Sequence, residues 1–385
     1  MAFACLDCGS EPGAVPTCPD CGGFVAYERP STGALESAVD GDRWAALPPV
    51  EPAARVDLGE GATPQLPLAT TDGDIRAKLE SMNPTCSFKD RGSALVVAAI
   101  HSPSTSFEGV VVASTGNTAT SVAAYAARAD VPCAILVPEG TSTAKLSQAA
   151  AHGADVFTVD GTFSDCFELA RSVADERVVN ATAVYSANPY VEVADRTVAH
   201  EIVAALGTAP DWVSVPVGAG PLLGGVYRGF RDLRAAGLVD EAPSMLCVQA
   251  RGCHPIVSAY EAETDVEPWT EPITTDVGAI ADPLVGYAAD GQRTLEAVRE
   301  SDGDAVALSD ETIHAWHGRL AEREGIYAEP ASAASVAAIA ESDRINDDAT
   351  SVALITGHGL KEPDAGDPPS TSPADQSRIR DLLVG

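Results

Sequence analysis

The chain has 385 residues, 45% of them hydrophobic and 21% charged, which is enough for two or three domains and unlike a disordered or fibrous sequence. Its 24 basic residues face 56 acidic ones, and the formal net charge of -32 excludes a generic binder of nucleic-acid phosphates or anionic lipid heads. Only four of the cations are lysines; a globular chain this acidic and lysine-poor is expected to work in high salt, where screening relieves the self-repulsion of its carboxylates.

The opening MAFACLDCGS has no basic segment leading into an apolar run. The longest apolar stretches, such as ALVVAAI at 94–100, fall far short of the roughly 20 residues a membrane span needs, so the cytoplasm is the expected location. Cys5, Cys8, Cys18 and Cys21 form two CxxC knuckles nine residues apart. Four thiolates so paired can complete a tetrahedron and leave no open position for catalysis, which points to a structural zinc in a small ribbon. Free or redox-active thiols are the alternative reading.

Further along, GVVVAST at 109–115 reads as a buried strand, and the Ala-rich TATSVAAYAARAD after it as a helix. VPCAILVPE at 131–139 is a second strand, followed by a helix near 143–152, a strand at ADVFTV and a helix from Phe163 to about Glu176. DWVSVPVGAG at 211–220 is a strand ending in a glycine turn, and SMLCVQA at 244–250 and TSVALITGHG at 350–359 are strands of the same kind. Strands alternating with helices predict an α/β protein with parallel sheets covered on both faces. After Lys361 the segment EPDAGDPPSTSPADQ reads as a linker to a short terminal helix, SRIRDLLVG.

Three motifs carry chemistry. Lys89 stands in NPTCSFKDRG at 83–92, at the mouth of a predicted helix; a lysine held and partly desolvated there can form a Schiff base with an aldehyde, whereas an exposed one is an ordinary surface residue. Ser114, Thr115, Gly116, Asn117 and Thr118 lie between a strand and a helix, where backbone N–H groups bind a carboxylate or merely cap the helix. VGAGPLLGG at 217–225 follows a strand and opens a helix, a cradle for phosphate. It fails the dinucleotide pattern GxGxxG because Leu223 stands at the third glycine, so a single phosphate is the better guest. No GxSxG elbow or GxxxxGK[ST] loop occurs. His314 and His317, three apart on a predicted helix, have no third ligand in view and read as packed or solvated.

Taken together the motifs resemble the fold type II family of pyridoxal-phosphate enzymes and, within it, the threonine synthases. The likeness runs from about residue 59 to 362: NPTCSFKD at 83–90, with Cys86 where the family has glycine, STGN at 114–117, KLSQAAAHGA at 145–154, EPASAAS at 329–335 and TGHGLK at 356–361. The resemblance implies that Lys89 forms the Schiff base to pyridoxal 5'-phosphate and acts as the catalytic base. It implies that Asn117 bonds the ring hydroxyl, that Gly218, Ala219, Gly220 and Leu222 hold the phosphate, and that Thr356 faces the pyridine nitrogen. A neutral hydroxyl at that nitrogen makes the cofactor a mild electron sink, suited to elimination and replacement. Substrate would meet residues 114–118 and Ser186.

The expected architecture is two α/β lobes with the cofactor in the cleft: a zinc-ribbon-like segment at 1–30, a large lobe from 31–92 and 196–361, a small lobe at 93–195 and a tail at 362–385. Family members are usually homodimers. The implied activity is conversion of O-phosphohomoserine and water to threonine and phosphate. The segment YSANPYVEVADRT at 185–197 departs from the family pattern: Tyr185 replaces an asparagine, Val191 an arginine and Arg196 a lysine. An arginine can grip a phosphate with two parallel hydrogen bonds and a valine cannot. The alternative is therefore a threonine or serine dehydratase, or a phosphoserine-using elimination or replacement enzyme, of the same fold. A dinucleotide-dependent reductase built on the glycine turn is a third reading, from another class.

Overall fold

A computed structural model describes residues 3–362 except 72, 103 and 104, and leaves aside the side chains of 143–145. The terminal helix expected in SRIRDLLVG lies outside the described residues.

Among the described residues twelve strands form: β1 (Phe3–Cys5), β2 (Val25–Tyr27), β3 (Gln65–Pro67), β4 (Asp74–Lys78), β5 (Gly109–Ala113), β6 (Cys133–Pro138), β7 (Asp155–Val159), β8 (Val178–Asn180), β9 (Trp212–Pro216), β10 (Ser244–Ala250), β11 (Asp304–Leu308) and β12 (Thr350–Leu354). They make three sheets: the antiparallel pair β1-β2, a six-stranded sheet in the order β11-β10-β9-β12-β4-β3, and a four-stranded sheet in the order β7-β6-β5-β8. Within the larger two, only β3 runs antiparallel to its neighbour. Parallel neighbours require crossover connections, and the helices that make them bury the sheet faces. Hence strands such as VVV at 110–112 and VAL at 352–354 read as unbroken apolar runs and are wholly buried.

The helix Lys89–His101 is buried from Asp90 to Ile100. Its stretch ALVVAAI at 94–100 is apolar on every side, as a helix in a core is. Here Leu95 and Val97 share a cluster with Val110 and Val112 of the small sheet and with Phe3, Val25 and Tyr27 of the cysteine hairpin. Burying each such Val or Leu side chain is worth about 1.5–3 kcal/mol. The hairpin docks on the helix Pro189–Leu206: the Phe3 and Tyr190 rings meet edge-on at 5.6 Å, and Arg196 Nη2 donates to the Tyr27 carbonyl at 2.8 Å. Arg196 is fully buried and also pairs with Asp232 at 3.1 Å, so it ties the hairpin to the body of the protein. Among the described residues no helix is long and apolar enough to cross a membrane.

Candidate active site

Lys89 is the first residue of its helix, and its neighbours are fixed by buried polar bonds. The Asp90 carboxylate accepts from Thr85 N at 2.6 Å, Thr85 Oγ1 at 2.5 Å and Ser121 Oγ at 2.6 Å, clamping the loop before the lysine. Arg91 is held by Glu80 at 2.7 Å and by Glu201 at 2.6 Å. Removing one member of such a buried pair costs about 3–5 kcal/mol, because its partner is left charged and uncompensated. Cys86 adopts φ +67, the left-handed region, where the related motif has glycine. A non-glycine residue carries about 1–2 kcal/mol of strain in that conformation.

Lys89 itself is half-buried. Burial lowers its amine to about 8, against the opposing pull of the Asp195, Asp282 and Glu329 carboxylates. Of these three acids only Glu329 falls in a sequence motif, EPASAAS at 329–335. Each comes from a different part of the chain, and only folding brings them to the lysine.

The glycine turn ends β9 and opens the helix Pro221–Ala235, with Pro221 at the first turn, where its missing N–H costs no helical bond. Gly220 has φ +98, and a Cβ there would lie 2.1 Å from Thr294 Oγ1. That hydroxyl donates to the Ala219 carbonyl at 2.8 Å and so sets the turn. Among the described residues, none accepts from the amides of Gly218, Ala219 or Gly220. Free amides at a helix N-terminus, walled so closely at Gly220 that only glycine fits there, suit a phosphate. Leu222 lies inside the same helix start and is buried. The Asp282 side chain packs against Gly218, which brings this turn to the lysine's surroundings.

Thr356 follows β12. Its carbonyl accepts from Phe88 N at 3.0 Å, joining this strand end to the lysine loop. Its hydroxyl meets Ser332 Oγ at 3.0 Å. Asn117 opens the helix Asn117–Ala129, and its Nδ2 donates to both Glu329 oxygens at 2.9 and 3.1 Å. The expected cofactor contacts of Asn117 and Thr356 are therefore linked to each other through the helix start at Glu329–Ser332. Ser114, Thr115 and Gly116 form a half-buried loop beside it, with Ser114 Oγ accepting from Gly116 N at 3.3 Å. Thr118 lines a small, partly open cavity against Lys89, together with Asn188, Val191 and Asp195. Ser186 does not line that cavity; its N–H donates to Asp290 at 3.0 Å. Tyr185 turns instead to the glycine loop, donating from its hydroxyl to the Gly220 carbonyl at 3.3 Å.

At the N-terminus the sulfurs of Cys5, Cys8, Cys18 and Cys21 all lie within 4.8 Å of one another, Cys5 to Cys21 at 3.4 Å and Cys8 to Cys18 at 3.7 Å. A tetrahedral zinc with bonds of about 2.3 Å holds its sulfurs roughly 3.8 Å apart, so the donor set and its spacing fit that ion. His314 pairs with Asp276 at 2.8 Å, and no metal-type cluster among the described residues includes it or His317.

A family model described as pyridoxal-phosphate dependent enzyme matches residues 56–357. The threonine synthase of Mycobacterium bovis is 40% identical over 333 residues, covering 83% of this chain and 87% of its own. That of Methanocaldococcus jannaschii is 37% identical, covering 83% and 80%. That of Methanosarcina acetivorans is 34% identical, covering 99% of this chain and 98% of its own. Among solved structures, the processed form of threonine deaminase isoform 2 from Solanum lycopersicum superposes with a TM-score of 0.67 at 19% identity, covering 88% of this chain and 94% of that one. Maize serine racemase gives 0.68 at 18%, covering 92% and 97%. At those identities the two superpositions speak for the fold alone.

Proposed function

The chain belongs to the pyridoxal-phosphate dependent enzymes and, within them, to the threonine synthase family of lyases; on that footing we propose that it works on a small amino acid with Lys89 as the proton-transferring base. Lys89 would hold the cofactor's aldehyde carbon, the free amides at Gly218–Gly220 its phosphate, Asn117 its ring hydroxyl and Thr356 its pyridine nitrogen. When bound, the cofactor withdraws electrons from the substrate's Cα and so acidifies its hydrogen. The rest falls to the protein. Amides and hydroxyls at 114–118 orient the substrate carboxylate at a helix N-terminus. Lys89 Nζ takes and returns the α-proton, and a pKa near 8 keeps a usable share of it as free amine around neutrality. Ser332 orients the Thr356 hydroxyl, which carries no charge to the ring. The four cysteines would hold a zinc that fixes the hairpin and takes no part in the reaction.

The first reading of the overall reaction is synthesis of threonine from O-phosphohomoserine and water, which the length and identity of the related synthases support. The second is elimination from a hydroxy-amino acid, favoured by one observation: Val191 lines the cavity at Lys89, and Lys89 is the sole cation among the described lining residues. The observation that carries the shared reading is the half-buried, deprotonation-prone Lys89 bonded through its loop to the Thr356 strand end. Holoenzyme should absorb near the violet edge of the visible range, and Lys89→Ala should abolish that band. Phosphate release from O-phosphohomoserine and ammonia release from threonine, each followed by a coupled assay in high salt, separate the two reactions.

A further inference from the structure

The cavity against Lys89 contains two buried polar atoms for which the proposed chemistry has so far given no role. Asp195 is 1% exposed, and its Oδ2 has no hydrogen-bond partner among the described residues. Asn188 is also 1% exposed; its Oδ1 caps the helix Pro189–Leu206 by accepting from Tyr190 N at 3.0 Å, and its Nδ2 has no described partner. Both residues line the cavity, and Val191, one helical turn before Asp195, gives it an apolar wall. A buried polar atom left unpaired costs about 1–3 kcal/mol, so two in one cavity mark a missing guest.

The guest must accept a hydrogen bond from an amide N–H and share one with a carboxyl oxygen. An ammonium has no lone pair for Asn188. A phosphate monoester would bring further negative charge beside Asp195 with no arginine among the described lining residues to meet it. A hydroxyl does both. We propose that Asn188 Nδ2 and Asp195 Oδ2 form the subsite for the β-hydroxyl oxygen of a threonine-type amino acid, and that Asp195 carries the proton exchanged at that oxygen. This rests on the reading of Lys89 as the base.

In the elimination direction the Cα–H proton passes to Lys89 Nζ, and its electron pair becomes the second Cα–Cβ bond. The Cβ–O bond breaks with its pair on oxygen, and the Asp195 proton joins that oxygen to release water. Hydrolysis of the resulting enamine gives 2-oxobutanoate and ammonia. In the synthetic direction the water enters at the same place and gives its proton to Asp195. Burial pushes the Asp195 carboxyl well above the usual carboxylate range, which leaves it protonated often enough to donate, while Lys89 and Arg91 hold it back from a larger rise.

The test uses holoenzyme and compares binding of L-threonine with L-2-aminobutyrate, which lacks only the hydroxyl, by the change in cofactor absorbance. Wild type should favour threonine by about tenfold or more, as expected when an analogue leaves two buried groups unpaired. Asn188→Ser, which keeps a capping oxygen, and Asp195→Asn should each cut that preference, and Asp195→Asn should slow 2-oxobutanoate formation by about a hundredfold or more. Equal binding of the two ligands by wild type, or a preference that survives both substitutions, overturns the proposal. Exchange of the α-hydrogen of 2-aminobutyrate in heavy water needs Lys89 and no hydroxyl. Its presence in wild type and loss in Lys89→Ala therefore upholds the base separately from the subsite, and its absence in wild type would sink the earlier reading instead.

Discussion

Gly220→Ala tests the phosphate cradle with a single methyl group. At φ +98 an alanine carries about 1–2 kcal/mol of backbone strain. Its Cβ would sit 2.1 Å from Thr294 Oγ1 and 2.4 Å from Thr294 Cγ2, so Thr294 must turn away and release the Ala219 carbonyl. That lost bond adds about 1 kcal/mol, for a total near 2–3 kcal/mol of stability. The turn that presents the free amides moves with it, so affinity for pyridoxal phosphate should fall by about tenfold or more. Gly237→Ala is the matched control: Gly237 has φ +74 with no atom within 4 Å of its Cβ position, so it carries the backbone strain alone. Urea midpoints of the cofactor-free proteins and absorbance titrations with the cofactor read the two effects separately. Gly220→Ala with unchanged cofactor affinity, or Gly237→Ala weakening it as much, would refute the cradle.

Other consequences can be measured on the same protein. Arg91→Met takes the guanidinium from the buried Glu80 and leaves the half-buried Glu201 with Lys78 alone, and should cost about 3–5 kcal/mol in urea unfolding; a loss under about 1 kcal/mol would show the pair to be dispensable. His200 is buried, and desolvation lowers its ring to about 4 from its ordinary 6.5. Because the folded-state pKa is depressed, the neutral ring is tolerated above pH 6.5, and about 3 kcal/mol of stability should drain away as pH falls toward 4. His200→Leu should flatten that part of the stability curve, and an unchanged acid slope would contradict the assignment. Purified protein should contain one zinc per chain, and Cys18→Ser should release it and expose the hairpin to protease; metal analysis showing no zinc in wild type removes this expectation. With a net charge of -32, the unfolding midpoint should rise from about 0.1 M to about 2 M potassium chloride through screening of carboxylate repulsion, and a midpoint indifferent to salt would count against a high-salt adaptation.

What the sequence discloses is set by how local the physics is. Strands at 109–113, 133–138, 212–216, 244–250 and 350–354 lie where mainly apolar runs predict them, because a strand covered on both faces is mostly apolar; Ser214, Gln249 and Ser351 are the buried exceptions. The strand Asp74–Lys78 carries no such signal: its sequence DIRAK has three charges, and Lys78 is buried only because Glu201, far along the chain, pairs with it. The short strands Gln65–Pro67 and Val178–Asn180 have too few residues to show a period. Lys89, the Gly218–Gly220 turn and Thr356 stand out because each sits in a compact motif. Asp195, Asp282 and Asn188 do not: the meaning of Asp195 and Asn188 depends on a shared cavity and on partners they lack, and that of Asp282 on its packing against Gly218 near the lysine. A faint signal for Asp195 is present in the chain: an acid four residues after Val191, on the same face of a helix otherwise buried.

Which nitrogen carries the cofactor decides the chemistry at this site. Holoenzyme treated with borohydride and digested should yield one peptide heavier by a pyridoxyl phosphate group, with fragmentation placing the addition on Lys89. The same mass on Lys78, Lys145 or Lys361, or a cofactor that washes away after reduction, would contradict it.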